Sequence, residues 1–278
     1  MNEKEYLNHL SAEIGKAIAE KNPVMKIEDR DVFSVISDFL SEAIPEIGQD
    51  MIDAAVDTYI AKILQNARQL DPELLEKDPY VQRVHFNTVK SGRYLLTNSF
   101  YEKGEILQYD FPLQEDGIYL PRLGYFTRKT NFPSIYEGNI PWMSVIPSEI
   151  NTMKTPIDHA HGKMLVLGLG LGYYAYMIGR KKDVQDITVI EQSAAVIQLF
   201  KDSILPQFEP AAAAKIHIIQ ADALQYMKNV QEGQYDGIFA DLWQGAVDGA
   251  ADYHQLHPYE QILKSTKFDY WIERYLHE

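Results

Sequence analysis

The stretch Lys163-Met-Leu-Val-Leu-Gly168-Leu-Gly170-Leu-Gly172-Tyr-Tyr-Ala-Tyr-Met-Ile178 decides how the rest of the chain is read. Its apolar run, Met164 to Leu167, is too short and too uniform for a surface helix. It predicts a strand buried on both faces, the kind a parallel sheet contains. Three alternating glycines stop the run, and beyond them Tyr174, Met177 and Ile178 share one face at helical spacing. Glycines let the backbone turn sharply and approach a ligand closely, while the helix behind them offers unpaired N–H groups. The unit is expected to hold a nucleotide-like ligand, although a glycine pattern by itself also fits a tight connection with no ligand.

On the C-terminal side strands and helices alternate: Ile187–Ile190, Ser193 to about Ile204, Ile216–Ile219, Ala223–Val230, then Asp236–Ala240. Such alternation predicts a parallel sheet with crossover helices. Ser193 is a natural N-cap, and Val196, Ile197 and Phe200 supply the inward face. After Asp241 the chain reads as helices around Tyr259–Leu263 and Tyr270–Leu276. The sheet is therefore either truncated or completed at one edge by strands from elsewhere.

On the N-terminal side, Pro147-Ser-Glu149 opens a helix running to about Ala160, with a carboxylate in the first turn where the helix dipole favours one. Before it, aromatic and β-branched runs at Arg93–Asn98, Glu105–Phe111, Gly117–Leu120 and Gly124–Thr127 predict a small β-meander, closed by the segment from Tyr136 to Ser144. The first part reads as helices, from apolar stripes at Leu7, Leu10, Ile14, Ile18, then Val32, Phe33, Ile36, Leu40, then Ala55, Tyr59, Ile60, Ile63. Pro23, Pro45 and Pro72 punctuate them. The expected organisation is a helical region at 1–85, a β-rich segment at 86–145 and a Rossmann-like α/β domain at 146–278. The helical stripes read first as core faces, with a substrate lid or a homodimer surface as the alternative.

Composition narrows the chemistry. A length of 278 residues with 46% apolar residues is globular, and a formal net charge of -14 disfavours a phosphate-backbone partner, which needs a basic face. Zero cysteines exclude disulfides, thiolate zinc sites and cysteine-held iron–sulfur clusters. His159 and His161, and His254 and His257, lack an evident third ligand, so no metal site is expected. The opening Met-Asn-Glu-Lys-Glu is not a basic region followed by an apolar core, and no apolar run has the length of a membrane span. A cytoplasmic location is the expectation, without membrane or nucleic-acid partners.

In a doubly wound sheet the ligand lies across the carboxyl ends of the strands. Three acids fall just past those ends. Glu191 follows the second strand about twenty residues beyond the glycines, where a carboxylate can hold both ribose hydroxyls. Asp222, in Gln220-Ala-Asp-Ala223, can meet the exocyclic amine of an adenine, and Asp241, in Tyr235-Asp-Gly-Ile-Phe-Ala-Asp-Leu-Trp243, falls beside the reacting end. Each alone is equally a loop residue or helix cap; together they describe an adenosine pocket.

The run from Lys163 to Trp243 resembles the class I methyltransferases that use S-adenosylmethionine, and among them is similar to the branch containing spermidine synthases. The resemblance implies that Gly168, Gly170 and Gly172 bend around the methionine part of the cofactor and that Glu191 with Gln192 holds the ribose. It implies further that Asp222 with Ala223 meets the adenine, and that Asp241 sits at the aspartate that spermidine synthases use on the amine substrate, a catalytic candidate to orient or deprotonate the acceptor or else a contact to the cofactor's amino group. Methyltransferases commonly carry an acid two residues before the first glycine, where this chain has Val166, a departure shared with spermidine synthases. Those continue past their aspartate with a second acid and a proline, where this chain reads Leu242-Trp243-Gln244-Gly245, and their Tyr-His-Glu segment has only Ile135-Tyr-Glu-Gly or Trp142-Met-Ser as counterparts here. The Asn-Pro-Pro-Tyr of base and glutamine methylators is absent too.

Methyl transfer from S-adenosylmethionine to a small-molecule or protein acceptor is therefore expected. Aminopropyl transfer from the decarboxylated cofactor is the alternative. A nicotinamide oxidoreductase is another, since Gly170-Leu-Gly172-Tyr-Tyr-Ala175 satisfies G-x-G-x-x-A, and a non-catalytic interaction module is a third. Glu149 and Tyr173 are secondary candidates for the same pocket. Trp142, Trp243 and Tyr173 can wall a sulfonium site through their ring faces, or can simply pack the core.

Overall fold

The computed structural model describes residues 3–20, 53–138 and 140–276. The stripe at Val32, Phe33, Ile36 and Leu40, with Pro23 and Pro45, lies outside them. The chain forms two compact units, each discontinuous in sequence: unit 1 takes Met1–Glu76, Phe100–Asn131 and Ile146–Ser148, and unit 2 takes Lys77–Ser99, Phe132–Val145 and Glu149–Glu278. These units cross the divisions drawn from sequence at 85 and 145, because the β-rich segment contributes to both.

In unit 1, helices α1 (Glu3–Glu20) and α2 (Asp53–Asn66) accompany a sheet of β1 (Arg68–Leu70), β4 (Ile106–Glu115) and β5 (Ile118–Phe126), in the order β1-β5-β4. The two sequence stripes meet that sheet. Leu7, Leu10 and Ile14, with Tyr59, Ile60 and Ile63, form one core with Ile106, Leu120 and Leu123, and Ile18 packs at its edge. Each helix hides one apolar face against the strands, which is where most helical stability arises in a folded protein.

In unit 2, the strands β2 (Val89–Ser91), β3 (Tyr94–Tyr101), β6 (Thr130–Glu137) and β7 (Ile140–Ser144) order as β2-β3-β6-β7. The second sheet of unit 2 holds β8 (Gly162–Leu167), β9 (Val184–Glu191), β10 (Ile216–Gln220), β11 (Gly237–Ala240) and β12 (Lys267–Tyr270) in the order β10-β9-β8-β11-β12. Every pair in it is parallel. The chain enters at the centre, winds out to one edge through β9 and β10, then crosses to the other side of β8 for β11 and β12. This is a Rossmann-like α/β fold with its switch point between β8 and β11. Leu165, Leu167, Ile187, Val189, Ile190 and Ala240 are fully buried, so the central strands are continuous apolar runs, whereas the edge strand β10 exposes 39% of Ile219.

The helices needed below are α3 (Pro147–His159), α4 (Tyr173–Gly179), α5 (Ala194–Leu199), α6 (Ala223–Met227) and α7 (Ala246–Leu256). Ser193 caps α5 by accepting the Val196 N–H at 3.4 Å, and α5 continues into a single π turn over Phe200–Ile204. The sheet is not truncated, and the meander does not complete it. The predicted meander strands build two other sheets, with Gly117–Leu120 and Gly124–Thr127 merged into the one strand β5. The fifth strand is β12, followed by a 3-10 turn at Glu273–Tyr275, where the sequence suggested a helix from Tyr270 to Leu276. Phe268, Tyr270, Trp271 and Ile272 are apolar at spacings that satisfy both periods; pairing with β11 decides for the strand. Likewise α7 shows no apolar stripe before Tyr253, having glycines at 245 and 249, and is held instead by Asp248, whose oxygens accept the N–H groups of Gln244 and Gly245 at 2.8 Å each.

Candidate functional site

The register of the parallel sheet aligns the strand ends: Leu167 lies opposite Ile190 and Ala240, and Glu191 lies opposite Gln220. Residues immediately past these positions therefore emerge along one line. There a cavity of about 220 Å³ opens within unit 2, lined by Gly168, Gly170, Glu191, Gln192, Asp222, Ala223 and Asp241 among others. Seven of the eight residues assigned to the cofactor from sequence are thus brought together. Gly172 is the exception: a Cβ there would stand 2.2 Å from the Phe200 ring, so its bareness serves packing against the π turn after α5, away from the cavity.

Four amides of the glycine turn are held by the protein itself. Gly168 N–H donates to the Ile190 carbonyl at 2.9 Å and Gly172 N–H to the Leu169 carbonyl at 2.7 Å. Leu169 N–H donates to Glu191 Oε2 at 3.3 Å, and Leu171 N–H to the thioether of Met143 at 3.1 Å. A Cβ on Gly168 would meet the Asp241 carbonyl oxygen at 2.1 Å, and one on Gly170 the Met143 sulfur at 2.1 Å. Both glycines have positive φ, 99° and 51°, so the turn demands glycine twice over. Behind it, Tyr80 Oη donates to the Leu171 carbonyl at 2.6 Å, and Tyr173 Oη donates to Asp78 Oδ2 at 2.9 Å. Tyr173, a secondary candidate from sequence, is committed to Asp78 and does not line the cavity.

Glu191 has a structural task as well as a place in the lining. Its Oε1 accepts the Ser193 N–H at 2.7 Å while Oε2 holds Leu169, so one carboxylate ties the glycine turn to the start of α5. Burial raises its pKa, and the backbone N–H groups of Ser193, Leu169 and Gln192 oppose the rise. Asp222 caps α6, its Oδ1 accepting the Gln225 N–H at 2.8 Å. Asp241 keeps some contact with solvent through the cavity, yet the protein around it is dense enough that lost hydration pushes its carboxyl up to about 7. Glu149, in the first turn of α3, is pushed up to about 8 by burial and then by the charge of Asp241. Burial and the neighbouring Asp241 together favour the protonated form of Glu149.

The sequence reading missed Asp252 and Met143. Asp252 reaches the cavity from α7, and its carboxyl is raised by burial and then by Asp222 and Asp248. Met143 comes from β7 beside Trp142, which packs on Tyr94 at 5.3 Å between ring centroids. Neither carries a local signal, since an aspartate in a helix and a methionine in a strand are ordinary. Trp243 lines the cavity with 6% exposure, and its buried indole nitrogen has no hydrogen-bond partner among the described residues. Four carboxylates thus line the space, and among the described lining residues no side chain is basic. His159 and His257 lie elsewhere, beside Asp269 at 2.7 Å and Glu260 at 3.1 Å, and no group of metal-ligating side chains occurs among the described residues. None of the described helices is long and apolar enough to cross a membrane.

No family model matches the sequence, and no curated protein matches it either. Solved structures similar to it include the methyltransferase domain of bacterial CtHen1, at 19% identity over 41% of this chain and 59% of that chain, with a TM-score of 0.31. A probable spermidine synthase from Corynebacterium glutamicum matches at 14% identity over 58% of this chain and 53% of that chain, TM-score 0.37. Spermidine synthase from Thermotoga maritima matches at 13% identity over 68% of this chain and 56% of that chain, TM-score 0.37. In each case the chain spans less than two thirds of the length of the protein it matches. The strand order and the all-parallel sheet, independently of these likenesses, define the fold.

Proposed function

We propose that unit 2 binds an adenosyl sulfonium, S-adenosylmethionine, and transfers its methyl group to an acceptor held near Asp241. The observation that carries this reading is the charge of the cavity: Glu191, Asp222, Asp241 and Asp252 line it, with two tryptophans and no basic side chain among the described lining residues. Such a space favours a cation, and aromatic faces add to that preference. It opposes a dinucleotide, whose pyrophosphate needs free amide donors at a glycine turn. Here Gly168, Leu169, Leu171 and Gly172 already donate to protein acceptors.

The donor set fits the cofactor. Glu191 and Gln192 would hold the ribose, Asp222 and Ala223 the adenine edge, and Gly168 and Gly170 would border the methionine part. When bound, the sulfonium supplies an already activated alkyl carbon. The protein's part is to orient the acceptor, exclude water and manage a proton. Asp241, with a carboxyl held near 7 by burial, takes or anchors that proton, and its charge in turn helps hold Glu149 in the protonated form. Because the two acids interact, a pH profile would report apparent values belonging to the pair.

Aminopropyl transfer is a second reading, favoured by one observation: among the described lining residues no cation stands ready for the methionine carboxylate. Against it stand Leu242-Trp243-Gln244-Gly245 in place of the second acid and proline of that branch. Calorimetric titration with S-adenosylmethionine, its decarboxylated form and NAD separates the readings. Tightest binding of the first is expected. Preference for the second moves the assignment to aminopropyl transfer, and binding of NAD alone, or of none, overturns it.

A further inference from the structure

Asp241 sits where the cavity meets the glycine turn. Its N–H donates to the Leu167 carbonyl at 2.9 Å, and its own carbonyl oxygen occupies the place of a Cβ on Gly168, so strand end and turn are in contact. The side chain lines the cavity and keeps some access to solvent, unlike the sealed indole nitrogen of Trp243. Among the described residues no hydrogen bond or opposite charge acts on its carboxyl, and burial alone lifts it to about 7. The elements around it present acids or groups already occupied. Glu149 on α3, Glu191 at the end of β9, Asp222 ahead of α6 and Asp252 on α7 are the acids. Lys154 on α3 is turned to Asn151 at 2.6 Å, Asp248 on α7 holds the amides of Gln244 and Gly245, His254 packs on Tyr253, and Asp269 on β12 is bound to His159 at 2.7 Å. On α4, the hydroxyls of Tyr173 and Tyr174 donate to Asp78 and to the Pro156 carbonyl.

A carboxyl so placed keeps a proton near neutrality that a nearby cation displaces. We propose that the cavity is a proton-linked cation site: a sulfonium entering beside Asp241 expels that residue's proton to solvent, whereas a ligand of the same shape with an uncharged thioether leaves the carboxyl protonated. The assignment rests on the adenosyl reading above and adds to it a pH dependence and a discrimination by charge at a single atom. The sign follows from linkage. A cation weakens the carboxyl's hold on its proton, so losing the proton and gaining the cation strengthen each other, and the sulfonium binds more tightly as pH rises through 7. Glu149, which the charge of Asp241 helps hold protonated, keeps its proton as Asp241 loses its own.

Calorimetric titration of the full chain near pH 6.5, in two buffers of different ionisation heat, counts the protons released. The ligands are S-adenosylmethionine and S-adenosylhomocysteine, which share their amino and carboxylate groups and differ in one methyl group and the charge at sulfur. The first should release about half a proton or more and the second close to none. Affinity for the first should fall about tenfold or more between pH 8 and pH 5.5, and that for the second much less. Asp241→Asn should bind S-adenosylmethionine without releasing a proton, while Glu149→Gln should still release one. The parent's two ligands decide the matter by themselves should Asp241→Asn bind too weakly to titrate. Equal proton counts for the two ligands overturn the linkage and leave the adenosyl reading intact. Release that persists in Asp241→Asn, or that vanishes in Glu149→Gln, overturns its assignment to Asp241. Failure of both ligands to bind the parent chain overturns the linkage and the adenosyl reading together.

Discussion

The two walls of the cavity are built on opposite terms. The glycine turn after β8 is braced from within, with the N–H groups of Gly168, Leu169, Leu171 and Gly172 held by Ile190, Glu191, Met143 and Leu169 and its missing Cβ positions filled by Asp241, Met143 and Phe200. The facing wall, from the end of β11 and from α7, carries carboxyls lifted by burial and a buried indole N–H with no partner among the described residues. The contrast teaches that a glycine-rich turn need not be where a ligand finds its hydrogen bonds. Here it is the rigid frame, and the reactive groups are those the fold leaves under-satisfied.

The frame can be broken first at Gly168. Its Cβ would strike the Asp241 backbone oxygen, which cannot swing aside, and its φ of 99° is unfavourable for any side chain. Gly168→Ala should lower stability by about 3–5 kcal/mol in chemical denaturation. Gly170→Ala, where the obstacle is the flexible end of Met143, should lose only about 1–2 kcal/mol. Equal, mild losses would mean that the turn is not the rigid partner.

Glu191 tests whether one residue belongs to both walls. From sequence alone Glu191→Ala is expected to weaken cofactor binding without affecting the fold. Its grip on the Leu169 and Ser193 N–H groups changes that expectation. Two stranded donors should cost about 2–3 kcal/mol of stability as well as affinity. A variant as stable as the parent in thermal melts, with binding alone impaired, would confine Glu191 to the ligand.

The last of these effects has the opposite sign. The ordinary carboxyl value for Asp241 is 3.8 and burial lifts it to about 7, so the folded chain keeps a proton that the unfolded chain has lost. Stability contributed by the protonated form is present at pH 4 and declines as pH rises toward 7 and beyond. Asp241→Asn should therefore be about 1–3 kcal/mol more stable than the parent at pH 8 and no different at pH 4. Destabilisation at pH 8 would show that the ionised carboxylate is paired after all, and the reactive wall would lose its distinction.

Much of unit 2 was legible before any coordinates. Met164–Leu167, the glycines, the Ser193 cap and the strand-end acids Glu191, Asp222 and Asp241 are local signals: an apolar period, a residue without a side chain, a polar residue after a buried run. The stripes of α1 and α2 were legible for the same reason. The strand β12 was not, because Tyr270 to Ile272 suits either period until β11 is present to pair with it. Helix α7 was hidden by its glycines and aspartates, and Asp252 was hidden with it.

The sequence by itself determined the strands β8 to β11 and the place of the turn, since each follows from a pattern that reaches only a few residues along the chain. Only the tertiary structure decided what each bare glycine faces, that Glu191 braces the turn it was expected merely to accompany, and that the Trp243 N–H finds no partner among the described residues. Those depend on which side chains, far apart in the chain, come within hydrogen-bonding distance of one another. No short-range pattern records that.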